Sequence, residues 1–159
     1  MDIITKIEFD ELVGQLKVRK KQREQLRYQP EPISHWDERD FLAVFDRTGS
    51  AGVLVYNKSM YPFIFAKRKA NSTGRIEAII CDICATWRRG TGSGVLTFRK
   101  SATHSVSYLV CADLDCSLHV RGLTEASKIS RTQLRENMDN EGRVARLQRR
   151  LQVILRELA

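Results

Sequence analysis

Four cysteines do most to limit what this chain can become. They are spaced Cys81-x2-Cys84, then 26 residues, then Cys111-x4-Cys116. In a C-x2-C turn the chain doubles back, so that two sulfurs can reach one ion. Four thiolates complete a tetrahedron around zinc. Two disulfides would use the same residues, but they belong to oxidising compartments. The opening stretch MDIITKIEFDEL carries charges where a secretory leader has an apolar core. No run nears the roughly 18 apolar residues that span a bilayer. The expectation is therefore a cytoplasmic protein without a membrane partner, in which Cys81, Cys84, Cys111 and Cys116 bind one structural Zn2+. All four ligands being sulfur leaves no open position for a catalytic metal. Redox chemistry at Cys81-Asp82-Ile83-Cys84 would need a thioredoxin-like βαβ setting, which the pattern does not provide.

The residues between the pairs predict a β-hairpin, GVLTF (94–98) and VSYLVC (106–111), which returns the chain to the metal. EAIICDIC (77–84) reads as a strand entering the first pair, and RRGTGSG (88–94) as a loop. The second pair closes a strand and opens a helical turn. Knuckle, hairpin and helix-opening pair together make the arrangement of a treble-clef zinc finger. A four-thiolate zinc centre carries a formal charge of −2, which nearby cations and N–H groups stabilise. Arg88, Arg89 and Arg121 are the candidates close in sequence.

Around this centre the chain of 159 residues reads as α+β, a small β-rich domain flanked by helices. Thr5 and Glu8 have capping-box spacing, and Phe9, Leu12, Val13 and Leu16 follow on one face. KVRKKQREQLR (17–27) is strongly basic and either continues that helix or forms a second one, with Pro30 and Pro32 ending it. FLAVF (41–45), VLVY (53–56) and PFIFA (62–66) are strand candidates, with Gly49, Gly52 and Asn57 suited to turns. LTEASKISRTQ reads as a polar linker. A final amphipathic helix is capped by Asp139 or Asn140, and Val144, Leu147, Leu151, Ile154, Leu155 and Leu158 form its stripe. The expected organisation is a helical segment (1–32), a β-rich core with the zinc finger (33–125), and a linker with the C-terminal helix (126–159).

Lys plus Arg number 27 against 19 Asp plus Glu, a formal charge of +8. That balance favours acidic partners, whether RNA, the ribosome or an acidic protein face. The basic run at 17–27 is either a solvated face or a phosphate contact, and so is the stripe Arg143, Arg146, Arg150. Trp87 beside Arg88 and Arg89 suits stacking on a base, filling a protein pocket, or anchoring a loop. Tyr108 and Leu118 belong to a partner surface or to the packing around the metal. Arg121 meets a partner or stabilises the thiolates. Trp36 is expected in the core, and His104 and His119 as solvated or hydrogen-bonded rather than ligating residues. No Ser/His/Asp set, paired carboxylates or phosphate loop points to an enzyme or to a small-molecule substrate; RGTGSG lacks the Lys-Ser/Thr ending of a P-loop.

HWDERDFLAVFD (35–46), CDICAT (81–86), SYLVCADLDCSLHVRG (107–122) and NEGRVARLQRRLQ (140–152) together resemble the FusB/FusC-type proteins that bind elongation factor G. The likeness is greatest to short actinobacterial members with the FBP-type treble-clef zinc finger. It implies zinc on the four cysteines, binding of elongation factor G, and association with the translating ribosome. In the fusidic-acid resistance members such binding frees the drug-trapped factor. Trp87, Arg88, Arg89, Tyr108 and Arg121 are then candidates for the partner surface. The alternative is a zinc-finger protein that binds RNA, rRNA included.

Overall fold

The structure is a computed structural model, and it describes residues 4–27 and 35–158. Pro30 and Pro32 lie outside the described residues. The chain divides into two compact units, 1–65 and 66–159.

The first unit opens with helix α1 (Lys6–Gln15). Its capping box is present as expected: the Thr5 hydroxyl accepts from Glu8 N–H, and the Glu8 carboxylate accepts from Thr5 N–H. The capping bonds hold the Glu8 carboxyl below its usual range. The basic stretch forms a second short helix, α2 (Lys20–Gln25), rather than prolonging the first. Strands β1 (Leu42–Phe45), β2 (Ala51–Tyr56) and β3 (Ser59–Lys67) make an antiparallel meander. Asp46 shapes the first connection, its Oδ1 accepting from the N–H groups of Thr48, Ser50 and Ala51. The second is a two-residue turn in which Asn57 and Lys58 both take positive φ, the twist a tight hairpin requires. Gly52 is no turn residue. It lies within β2, where a Cβ would stand 2.4 Å from Val44 O. The core is Ile4, Phe9, Val13, Leu26, Leu42, Val44, Val53 and Val55, with Leu16, Trp36 and Met60 packed against it.

The second unit contains two very short strands, β4 (Ile79–Ile80) and β5 (Trp87–Arg88), paired across the first cysteine turn. The strand expected over 77–84 is thus only two residues long. The chain must turn to bring Cys81 and Cys84 together, and Ala85 takes φ 60° to do so. A 3-10 turn at Gly90–Gly92 leads into the hairpin of β6 (Ser93–Arg99) and β7 (Ser105–Cys111). Helix α3 (Cys116–Val120) is wholly buried and closes at Gly122, which takes φ 76° as the Leu123 N–H turns back to Leu118 O.

The stretch expected as a linker is instead helix α4 (Glu125–Leu134). Thr124 caps it by accepting from Ser127 N–H. Its buried face carries the hydroxyls of Ser127 and Ser130, so no apolar stripe marks it in the sequence. Helix α5 (Asn140–Arg156) starts at Asp139, whose side chain accepts from Gly142 N–H. It buries Leu147, Leu151, Ile154 and Leu155 and packs on α3. No helix among the described residues is long and apolar enough to cross a membrane.

Candidate metal centre

The sequence places the four sulfurs on three separate pieces of chain. Cys81 and Cys84 flank the turn after β4, Cys111 ends β7, and Cys116 opens α3. The hairpin register sets Cys111 opposite Ser93, at the base rather than the tip of the β6–β7 ladder. All four cysteines are buried. Cys81 Sγ lies 3.8 Å from Cys116 Sγ, and Cys84 Sγ lies 3.6 Å from Cys111 Sγ. A disulfide would bring such atoms to about 2.05 Å, and all four cysteines are free. A tetrahedral site with Zn–S of about 2.3 Å has sulfurs about 3.8 Å apart. The donor set therefore fits one zinc ion in both chemistry and spacing.

The crowding of these buried thiols perturbs their protonation. Burial opposes ionising Cys81, yet hydrogen bonds from Cys111, Cys116 and Cys84 hold it well below the usual thiol range. Cys116 is pushed well above that range by its bonds to Cys111, Cys81 and Cys84 and by burial. Sulfurs this close cannot all become anionic without a cation among them.

The surrounding side chains form two ionic clusters. In the first, Asp113, between the second ligand pair, accepts from Arg88 Nη2 at 3.0 Å, and its other oxygen meets His119 Nε2 at 3.0 Å. His119 Nδ1 lies 2.7 Å from Thr124 Oγ1. Burial alone would raise the Asp113 carboxyl, but its His119 bond and the Arg88 charge hold it below the usual range. His119 is buried and hydrogen-bonded on both ring nitrogens. In the second cluster, Glu136 pairs with Arg143 Nε at 3.0 Å and with Arg146 Nη1. Arg150 Nη1 reaches the backbone oxygens of Cys81 and Asp82 at 3.4 and 3.5 Å. The arginine stripe read as a candidate RNA face is thus engaged inside this unit. The α4–α5 connection supplies its carboxylate and the cysteine turn its carbonyls, neither of which the helix's own pattern reveals.

The other candidates separate into three places. Arg121 is half-buried and donates to Ser117 O at 2.9 Å. Trp87, Arg88 and Arg89 line a groove of about 390 Å3 whose facing wall is α4. Tyr108 lies elsewhere, its hydroxyl donating to Glu157 at 3.2 Å, beside a groove of about 450 Å3 lined also by Asp82, Arg149, Arg150, Val153 and Ile154. Leu118 is core.

Residues 16–158 match the family model described as FBP C-terminal treble-clef zinc-finger. The chain belongs to this family. The match bears out the resemblance to FusB/FusC-type proteins and the small α+β architecture with a treble-clef finger. Together with the buried cysteine cluster it supports a single structural zinc ion, which Cys81, Cys84, Cys111 and Cys116 would hold. The FBP treble-clef family is a family of binding proteins. No curated protein and no solved structure matches the chain.

Proposed function

We propose that this FBP-type protein binds elongation factor G and acts at the ribosome by altering how long the factor stays there. The process is mechanical. Zinc stiffens a platform, and side chains on that platform supply the contacts. One observation carries the reading. Ile80, Leu109 and Val153 are large apolar residues exposed to solvent at 54%, 40% and 58%. They belong to segments that meet beside the cysteine turn. Asp82 N–H donates to Leu109 O, and Leu109 N–H donates to the Asp82 carboxylate. Val153 lines the same groove as Asp82 and Tyr108. Exposed apolar residues gathered around a half-buried tyrosine and rimmed by Arg149 have the composition of a protein-docking centre with a cationic edge. An acidic, apolar surface on the factor is its complement.

The test is calorimetry with purified elongation factor G and the zinc-loaded chain. A 1:1 complex with a dissociation constant of about 1 μM or tighter is expected. Leu109→Asp or Val153→Asp should weaken it at least about tenfold, because each buries a charge at the centre of the contact. No association at about 10 μM refutes the proposal. Fusidic-acid resistance is the downstream form of the same proposal, read as faster recovery of drug-stalled translation when the chain is added.

A further inference from the structure

The groove beside β5 has a chemistry unlike that of the face just described. The Trp87 N–H donates to Ser130 Oγ at 2.8 Å, which fastens β5 against α4 and leaves the indole half-exposed. Arg88 lines the groove as well, but its guanidinium is engaged by Gly92 O and Asp113. Gly92 permits this, since a Cβ there would stand 3.0 Å from the Arg88 guanidinium. Arg89 stays exposed and makes no ion pair among the described residues. Opposite, Ala126, Ile129 and Gln133 are spaced i, i+3 and i+7 along α4 and share one face. Ile129 is 53% exposed. No lining residue is acidic, and the enclosed space is about 390 Å3.

We infer that this groove binds an unpaired nucleotide of single-stranded RNA. A base offers a π-face for Trp87 and Ile129, and edge donors and acceptors for the Gln133 amide. Its phosphodiester supplies the anion that Arg89 lacks. An apolar peptide side chain would use the wall but leave the guanidinium unanswered. The formal charge of +8 draws a polyanion towards the molecule. RNA is the source chosen over DNA because its loops and bulges present unstacked bases as a matter of course. The inference does not rest on binding to elongation factor G, which is proposed for the face around Leu109 and Val153.

The experiment is a fluorescence titration of the full zinc-loaded chain carrying Trp36→Phe, so that Trp87 is the only indole. Oligouridylate and oligoadenylate of about ten nucleotides are the probes, with the matching oligodeoxynucleotides alongside. Saturable quenching by RNA, at least as strong as by DNA and weakened by added salt, is expected. Arg89→Glu and Ile129→Asp should each weaken it about tenfold. Both positions are exposed, and zinc content and circular dichroism check that the fold persists. Affinity for elongation factor G should be unchanged in Ile129→Asp. No quenching by either RNA, quenching by DNA alone, or quenching indifferent to both substitutions overturns the inference.

Discussion

Replacing Glu136 by alanine tests whether the ionic cluster between α4 and α5 holds the zinc-bearing unit together. The Glu136 side chain is 22% exposed, and its partners Arg143 and Arg146 are 8% and 19% exposed. Arg146 Nε is buried and has no partner among the described residues, so the carboxylate is the main compensation for that guanidinium. Removing one partner of a fully buried pair costs about 3–5 kcal/mol, because the remaining charge stays buried. Partial exposure of Glu136 and Arg146 puts Glu136→Ala at the low end, about 3 kcal/mol. With a urea slope of about 2 kcal/mol/M, the midpoint should fall by about 1.5 M. The assay is urea unfolding in zinc-replete buffer, followed by circular dichroism, with Arg146→Met and the double variant completing a cycle. Acid provides a second check. The Arg146 bond, against burial and aided by Arg143, holds the Glu136 carboxyl below its usual range. A depressed carboxylate contributes its stability fully above the unfolded value, near pH 4.3, and loses it as pH falls through the folded value. The gap between the natural chain and Glu136→Ala should therefore be constant from about pH 8 to pH 5 and shrink below about pH 4. A midpoint shift under about 0.3 M, or a gap that survives in acid, refutes the reasoning.

Stripping the metal with a chelator should release one zinc per chain and collapse the helical signal of α3 and α5. Structural zinc contributes about 10–16 kcal/mol of apparent binding energy, as much as a whole domain's net stability. An unchanged spectrum after complete zinc loss would contradict this. Gly52→Ala should lower the melting temperature by about 6 °C, since the new Cβ would meet Val44 O at 2.4 Å and the Phe63 ring at 2.5 Å. Differential scanning calorimetry reads this, and a shift of under about 2 °C counts against it.

What could be read from the sequence was local or periodic. The cysteine spacing, the Thr5–Glu8 box and the α5 stripe each declare themselves within a few residues, and each is present in the structure. Helix α4 is hidden because Ser127 and Ser130 occupy its inner face, where hydroxyls bonded to backbone groups stand in place of an apolar stripe. The fate of Arg143, Arg146 and Arg150 was hidden for another reason. Their partners are Glu136 and the carbonyls of Cys81 and Asp82, the latter nearly seventy residues away. Periodicity shows which residues share a helix face but not what that face meets. The three positions, spaced i, i+3 and i+7, read equally well as a solvated or phosphate-binding stripe. The groove at Trp87 is half legible: the aromatic and its arginines stand together in sequence, but the facing wall belongs to α4, which no apolar stripe marks.

The placement of charge around the cysteines ties the metal centre to the surface proposed for docking. Arg88, near in sequence, is spent on Asp113, and Arg121 on its own helix. Arg150 approaches the turn from α5, whose apolar stripe also seals α3, the helix opened by the fourth cysteine. The helix is thereby fastened to the centre by both packing and charge. Its next turn presents Val153 to the groove that Asp82 and Tyr108 line from the other side. Three segments thus build that surface: the cysteine turn, the end of β7 and the C-terminal helix. Two of them are held directly by the sulfurs and the third by Arg150 and the α3 contact. Loosening the sulfurs would separate the pieces of the surface before it altered any single residue on it, so under the proposed function metal occupancy would govern docking through geometry.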